Sequence, residues 1–283
     1  MHPLREAMLD QMRLRGHSQR TQQSYVTAVS LLSRHYRRSP ERLSQDDLQN
    51  WILHLVKERQ LSAATCRLYL NAIRFFYLQV LQWPSCQLEL TVPKRPQRIP
   101  DLLSPDDVRR IIEHADNPKY AMMFALCYAC GLRVSELVAL KVSHIHGEAG
   151  YCQVVQGKGQ KDRQVPLPDT VLQMLRGYWK AFRPASWLFT GRDPEQHLSI
   201  TSVQKYYRKT RLKAGIPGSG GIHGLRHAFA THQLAAGMSI QQLKDILGHR
   251  HLSTTARYLH WYPPKPLVKF DLLAEALTEA EHD

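Results

Sequence analysis

Apolar residues recur every three to four positions over long stretches of this 283-residue chain, the period of a helix with one buried face. Four such runs fill the first ninety residues. From about Pro3 to Arg15, Leu4, Met8 and Met12 share a face, and Gly16 stops the pattern. A second run follows Ser18 with Tyr25, Val29, Leu32 and Tyr36 in register. The third begins at Ser44, an N-cap residue with Asp46 and Asp47 in the favourable first turn, and places Leu48, Trp51, Ile52 and Leu55 inside. Ser62 caps the fourth, in which Ile73, Phe76 and Val80 face the core until Trp83-Pro84 ends it. The pattern predicts a compact helical domain over residues 1–92.

Between Val92 and Pro100 the pattern breaks. VPKRPQRIP holds three prolines and three cations, and proline favours an extended chain, so 93–100 reads as a semi-rigid linker. A second domain over 101–283 opens at Ser104-Pro105, an N-cap followed by proline at the first helical position. Helices are expected to about Ile145. Then Tyr151 to Val155 and Arg163 to Leu167 are β-like stretches flanking Gly157-Lys158-Gly159, which predicts a hairpin with a lysine at its tip. Helices return to the end. In the last of them, Leu267 to Ala280, Phe270, Leu273, Ala274 and Leu277 lie at helical spacing. The fold class expected is mainly α with a small β-sheet or hairpin.

Charge narrows the partner. The chain carries a formal net charge of +14 and a pI near 9.7, a potential that attracts polyanions over long range. Residues 1–100 hold 15 Lys+Arg against 7 Asp+Glu and residues 101–283 hold 23 against 17, so both halves can touch one polymer. Arg20, Arg34, Arg37 and Arg38 on the second helix and Arg67 and Arg74 on the fourth are candidate phosphate contacts. A solvated helix face is the alternative for each. No run of eighteen apolar residues and no secretory stretch in MHPLREAMLDQM is present, so no membrane contact and a cytoplasmic location are expected. Five scattered cysteines argue against a disulfide framework. The CxxC of Cys127 and Cys130 sits in an apolar segment, and buried packing, not a metal, is expected there.

Five short segments carry chemistry. They read GLRVSEL around Arg133, QGKGQKDRQVPL around Lys158, HGLRH from His223 to His227, LGH ending at His249, and TTARYLH around Tyr258. In this order they resemble the tyrosine recombinases, or phage integrase family, most closely the Xer-like branch, and the resemblance spans nearly the whole chain.

The resemblance implies an N-terminal helical core-binding (SAM-like) domain that grips one side of a duplex, and an α+β catalytic domain. It implies a site-specific DNA recombinase that cleaves and rejoins strands through a 3′-phosphotyrosyl intermediate, with no cofactor, metal or ATP. Tyr258 would be the nucleophile, nine residues after His249 as in the family pattern. Arg133 and Arg226 would hold the non-bridging phosphate oxygens with planar forked donors. His223 and His249 would complete the ring around the phosphate, and Glu136 would support Arg133. Lys158, the first lysine of GKGxKxR, would protonate the departing 5′ oxygen, with Lys161 its rival. His223 and Arg226, three apart, share a helix face; His227 half-matches a zinc-protease spacing but lacks the glutamate, which discounts a metal. Lys94 and Arg95 in the linker join Arg20, Arg67 and Arg74 as expected DNA contacts. The implied partner is double-stranded DNA with paired inverted half-sites, bound by a tetramer whose subunits are monomers when free, at the nucleoid. No arm-binding domain is expected ahead of the first helix. The tail helix docks either in its own domain or in a neighbour. A type IB topoisomerase and a non-catalytic DNA-binding protein on the same fold stand as alternatives.

Overall fold

Local signals set the helix boundaries of the first of two units, 1–98 and 99–283. The structure, a computed structural model, describes residues 3–84, 90, 102–155, 162–218 and 220–259. In the first unit α1 spans Pro3–Leu14, α2 Gln19–Tyr36, α3 Gln45–Lys57 and α4 Ala63–Phe75. Ser18, Ser44 and Ser62 each accept a backbone N–H from the first turn, and at Ser44 the Asp47 carboxylate returns the favour to the cap N–H at 2.9 Å. Such caps satisfy N–H groups that the helix itself leaves without acceptors.

The fourth helix departs from expectation. It passes into a π-helical turn, Phe76–Val80, with Leu81 N–H donating to Phe76 C=O. The wider turn lets two adjacent rings, Phe76 and Tyr77, both be buried, and Tyr77 donates its hydroxyl to Pro40 C=O at 2.6 Å. The core of this unit also holds Met8, Met12, Leu32, Leu48, Trp51 and Ile52, each fully buried large side chain contributing about 1.5–3 kcal/mol before entropy is subtracted. Arg37 caps α2 in the left-handed region at φ 50°, so Arg37 and Arg38 lie beyond the helix and not on it.

In the second unit α5 spans Pro105–Glu113, α6 Pro118–Ala129 and α7 Val134–Val138. Three antiparallel strands follow, β1 Ile145–His146, β2 Tyr151–Val154 and β3 Arg163–Pro166, in the order β1-β2-β3. Pairing puts Cys152 opposite Val165 and Val154 opposite Arg163. The hairpin pattern anticipated β2 and β3; β1 is two residues long, too short to show a period. Then come α8 Asp169–Phe182, α9 Ile200–Lys213, α10 His223–Ala235, α11 Ile240–Leu247 and α12 Leu252–Ala256. Helix α6 is buried on most sides, from Met122 through Cys127, as its uninterrupted apolar run requires. Cys127 and Cys130 are buried and free, and burial pushes the Cys127 thiol up to about 12. Among the described residues no group of three or more His, Cys, Asp or Glu is placed to hold a metal, and no helix is long and apolar enough to cross a membrane. The linker, the tail helix and the tip with Lys158 fall outside the described residues.

Candidate active site

Helix α6 ends at Cys130, and the chain reverses at Gly131 with φ 59°. A Cβ there would lie 2.4 Å from Cδ1 of Phe229, so both conformation and space demand glycine. The reversal makes Arg133 the residue ahead of α7 and brings Glu136 back against it. Glu136 is 7% exposed and takes four charge-assisted or backbone donors. Arg133 gives its backbone N–H at 2.9 Å and Nη1 at 2.6 Å. Arg163, from β3, adds a bidentate fork at 3.0 and 2.8 Å. Its Nε reaches Ile246 C=O at 2.8 Å, and Arg133 Nη2 reaches Gly248 C=O at 3.3 Å. One carboxylate thereby locks two guanidiniums into fixed rotamers.

A third guanidinium lies deeper. Arg226 on α10 is 1% exposed and donates from Nη1 to Gly131 C=O at 2.6 Å and from Nη2 to Leu247 C=O at 2.7 Å. Its Nη1 stands 3.8 Å from Glu136 Oε2. Among the described residues its buried Nε has no hydrogen-bond partner. Helix α11 stops at Gly248 in the left-handed region, φ 62°, which turns His249 inward. His249 Nε2 lies 3.1 Å from Arg226 Nη2 and its Nδ1 2.9 Å from Thr255 Oγ1. A guanidinium only donates, so Nε2 accepts and the ring proton sits on Nδ1, facing Thr255. Tyr258, just past α12, packs with Phe229, Leu243 and Leu247, and its hydroxyl lies 3.1 Å from His227 Nδ1.

The electrostatics follow from this packing. Burial pushes Glu136 upward, but the hydrogen bonds and charge of Arg163, with Arg133, overcome it and hold the carboxyl at about 2. Burial, then the charge of Arg133, lowers Arg226 to about 10. Burial and the arginines bring His249 down to about 4, and burial with His223 and Arg226 does the same to His227. His223 is lowered for the same reasons. All three imidazoles are then neutral near pH 7. Among the described residues three arginines stand against one carboxylate, so the cluster is a desolvated positive pocket, and such a pocket is organised in advance for an anion.

The structure brings together Arg133, Glu136, His223, Arg226, His249 and Tyr258. Lys158, Lys94 and Arg95 lie outside the described residues. In the first unit Arg20 and Arg67 are exposed, and Arg74 is half-buried, donating to Leu90 C=O at 3.2 Å. Sequence reasoning passed over two residues of the cluster. Arg163 closes the GKGQKDR segment, a signal that a reading centred on the lysine ignored. His227 half-matches a metal-ligand spacing in the sequence, and its place directly after Arg226 is the signal that puts it in the cluster.

Comparison with known proteins identifies the family. The phage integrase family profile matches residues 101–264, and the phage integrase N-terminal SAM-like domain profile matches 4–85. The chain belongs to the phage integrase family, the tyrosine recombinases, and is Xer-like. It is 38% identical over 92% of its length to a Sinorhizobium fredii protein provisionally named integrase/recombinase y4qK, covering 84% of that protein. It is 35% identical to tyrosine recombinase XerD of Oceanobacillus iheyensis, over 78% of each chain. Among solved structures, a lambda integrase dimer bound to a COC′ core site aligns with a TM-score of 0.77 at 18% identity, over 95% of this chain and 80% of that one, and shares the fold.

Proposed function

We propose that this protein is a site-specific DNA recombinase whose nucleophile is Tyr258. The observation that carries the reading is the Tyr258 hydroxyl set beside a buried pocket of three arginines with one carboxylate among them. A scissile phosphate would bring the missing negative charge. Arg133 and Arg226 would hold its non-bridging oxygens, the Nε of Arg226, which has no hydrogen-bond partner among the described residues, adding a donor; His223 and His249 would complete the ring, and Glu136 would position Arg133. Attack by the phenol oxygen forms a 3′-phosphotyrosyl ester as the bond to the 5′ oxygen breaks. Lys158 is assigned as the acid for that oxygen. One phosphate ester replaces another, so the step is close to isoenergetic and reversible, and a 5′ hydroxyl from another strand completes an exchange.

The same reading makes duplex DNA the partner, with Arg20, Arg67, Arg74, Lys94 and Arg95 as backbone contacts, and a tetramer on paired inverted half-sites, monomeric when free, at the nucleoid. The relatives are recombinases by name, which favours strand exchange over topoisomerase action. The test is capture from a library of nicked duplexes with randomised sequence. Wild type should enrich a subset as covalent adducts through Tyr258, and Tyr258→Phe should enrich none. An adduct mapped by mass spectrometry to another residue would overturn the assignment.

A further inference from the structure

We propose, on the reading that Tyr258 is the nucleophile, that His227 is the base that takes the phenol proton as Tyr258 attacks and returns it when the tyrosyl ester is broken. The geometry singles it out. His227 Nδ1 is 3.1 Å from the Tyr258 hydroxyl, within range for direct proton transfer. The Arg226 charge also acts on that hydroxyl, but a guanidinium has no lone pair to accept a proton with. His249 has both ring nitrogens engaged, by Arg226 and Thr255, and its ring lies parallel to that of Tyr258 with centroids 6.3 Å apart. His223 packs against the His227 ring, 4.5 Å between centroids.

The protonation states suit the exchange. Burial holds the Tyr258 phenol above its ordinary value, with Arg226, Arg133 and Arg257 easing it back, so the hydroxyl keeps its proton near pH 7 and needs an acceptor. Burial, then His223, Arg226 and Arg257, holds His227 at about 4, so the ring is neutral and can present a lone pair. A phosphodiester among the arginines offsets their charge at His227, raising its basicity when the proton must move. In the forward step the phenol O–H bond breaks and the proton passes to Nδ1. The phenol oxygen bonds to phosphorus, the bond to the 5′ oxygen breaks, and that oxygen takes its proton from the acid assigned to Lys158. The reverse step returns both protons.

Two measurements decide it. In the full chain without DNA, nitrogen NMR of labelled histidine should show His227 protonated at Nε2 and bare at Nδ1; a proton on Nδ1 overturns the proposal. With duplexes recovered from the randomised library, His227→Ala and His227→Asn should bind as wild type yet form adducts at least about 100-fold more slowly, the scale of general-base catalysis. The rate of His227→Ala should climb with pH and be partly restored by added imidazole. Adduct formation at the wild-type rate overturns the proposal, as does a slow rate indifferent to imidazole and pH, which would mark a positioning residue. If wild type itself forms no adduct, the assignment of Tyr258 fails and the base with it; if wild type reacts and the variants react equally, only the base fails.

Discussion

Arginine is used in two opposite ways in this molecule. On the first unit Arg20 and Arg67 stand in solvent, where a charge costs almost nothing to keep and contributes little until a polyanion arrives. In the second unit Arg133, Arg163 and Arg226 are largely withdrawn from water, at 19%, 11% and 1% side-chain exposure, around the Glu136 carboxylate. Their desolvation is met during folding, so a phosphate entering the pocket would find donors already fixed. On the proposed function, exposed arginines would set how strongly and how salt-dependently a polymer is held, whereas buried ones would set what can be stabilised at one atom.

If that contrast is right, removing the shared carboxylate should be the most damaging change. Glu136→Ala leaves three buried guanidiniums without their counter-charge and should cost about 3–5 kcal/mol, read as a lowered Tm and as faster hydrogen exchange in the second unit while the first stays protected. Stability unchanged by the variant would mean the arginines are already well solvated. Acid should reach the same cluster by another route. Glu136 is held at about 2, below its ordinary 4.5, so its stabilisation is complete above the unfolded value and is lost as pH falls through about 2, on the order of 3 kcal/mol in all. His227 and His249 are depressed to about 4; the unfolded chain binds their protons first, so stability already declines as pH drops from about 6.5 towards 4. Chemical denaturation at several pH values tests both windows, and a flat profile between them contradicts the burial of neutral imidazoles.

Gly131→Ala should cost about 2 kcal/mol or more, since it combines a left-handed backbone with a collision against Phe229; an unchanged Tm would show that the ring can withdraw. The smallest effects belong to the first unit. Arg20→Ala and Arg67→Ala should change stability by less than about 0.5 kcal/mol. Each should weaken binding to duplex DNA uniformly across sequences and reduce the salt slope by about 1. Titrations at several salt concentrations would reveal a merely solvated face by an unaltered slope.

Local chemistry was legible where it acts over a few residues. Ser18, Ser44, Ser62 and Ser104 announced helix starts because a capping oxygen needs only its own first turn, and the apolar period marked Met8, Met12, Trp51 and Ile52 as buried. The π-turn at Phe76–Val80 was hidden, because it answers the packing of Phe76 and Tyr77 and not a local preference. The two-residue β1 was hidden because pairing with β2 alone defines it.

The chain by itself determined its family, its helical character, and the residue types available to a phosphate, since these are carried by motifs, periodicity and charge. Only the tertiary structure decided that Glu136 serves Arg163 as well as Arg133, that His249 is fixed in one tautomer by Arg226 and Thr255, and that His227 is the imidazole at the Tyr258 hydroxyl. Those facts join residues 27, 23 and 31 positions apart. No local propensity spans such separations; the burial of α6, α10 and α11 against one another does.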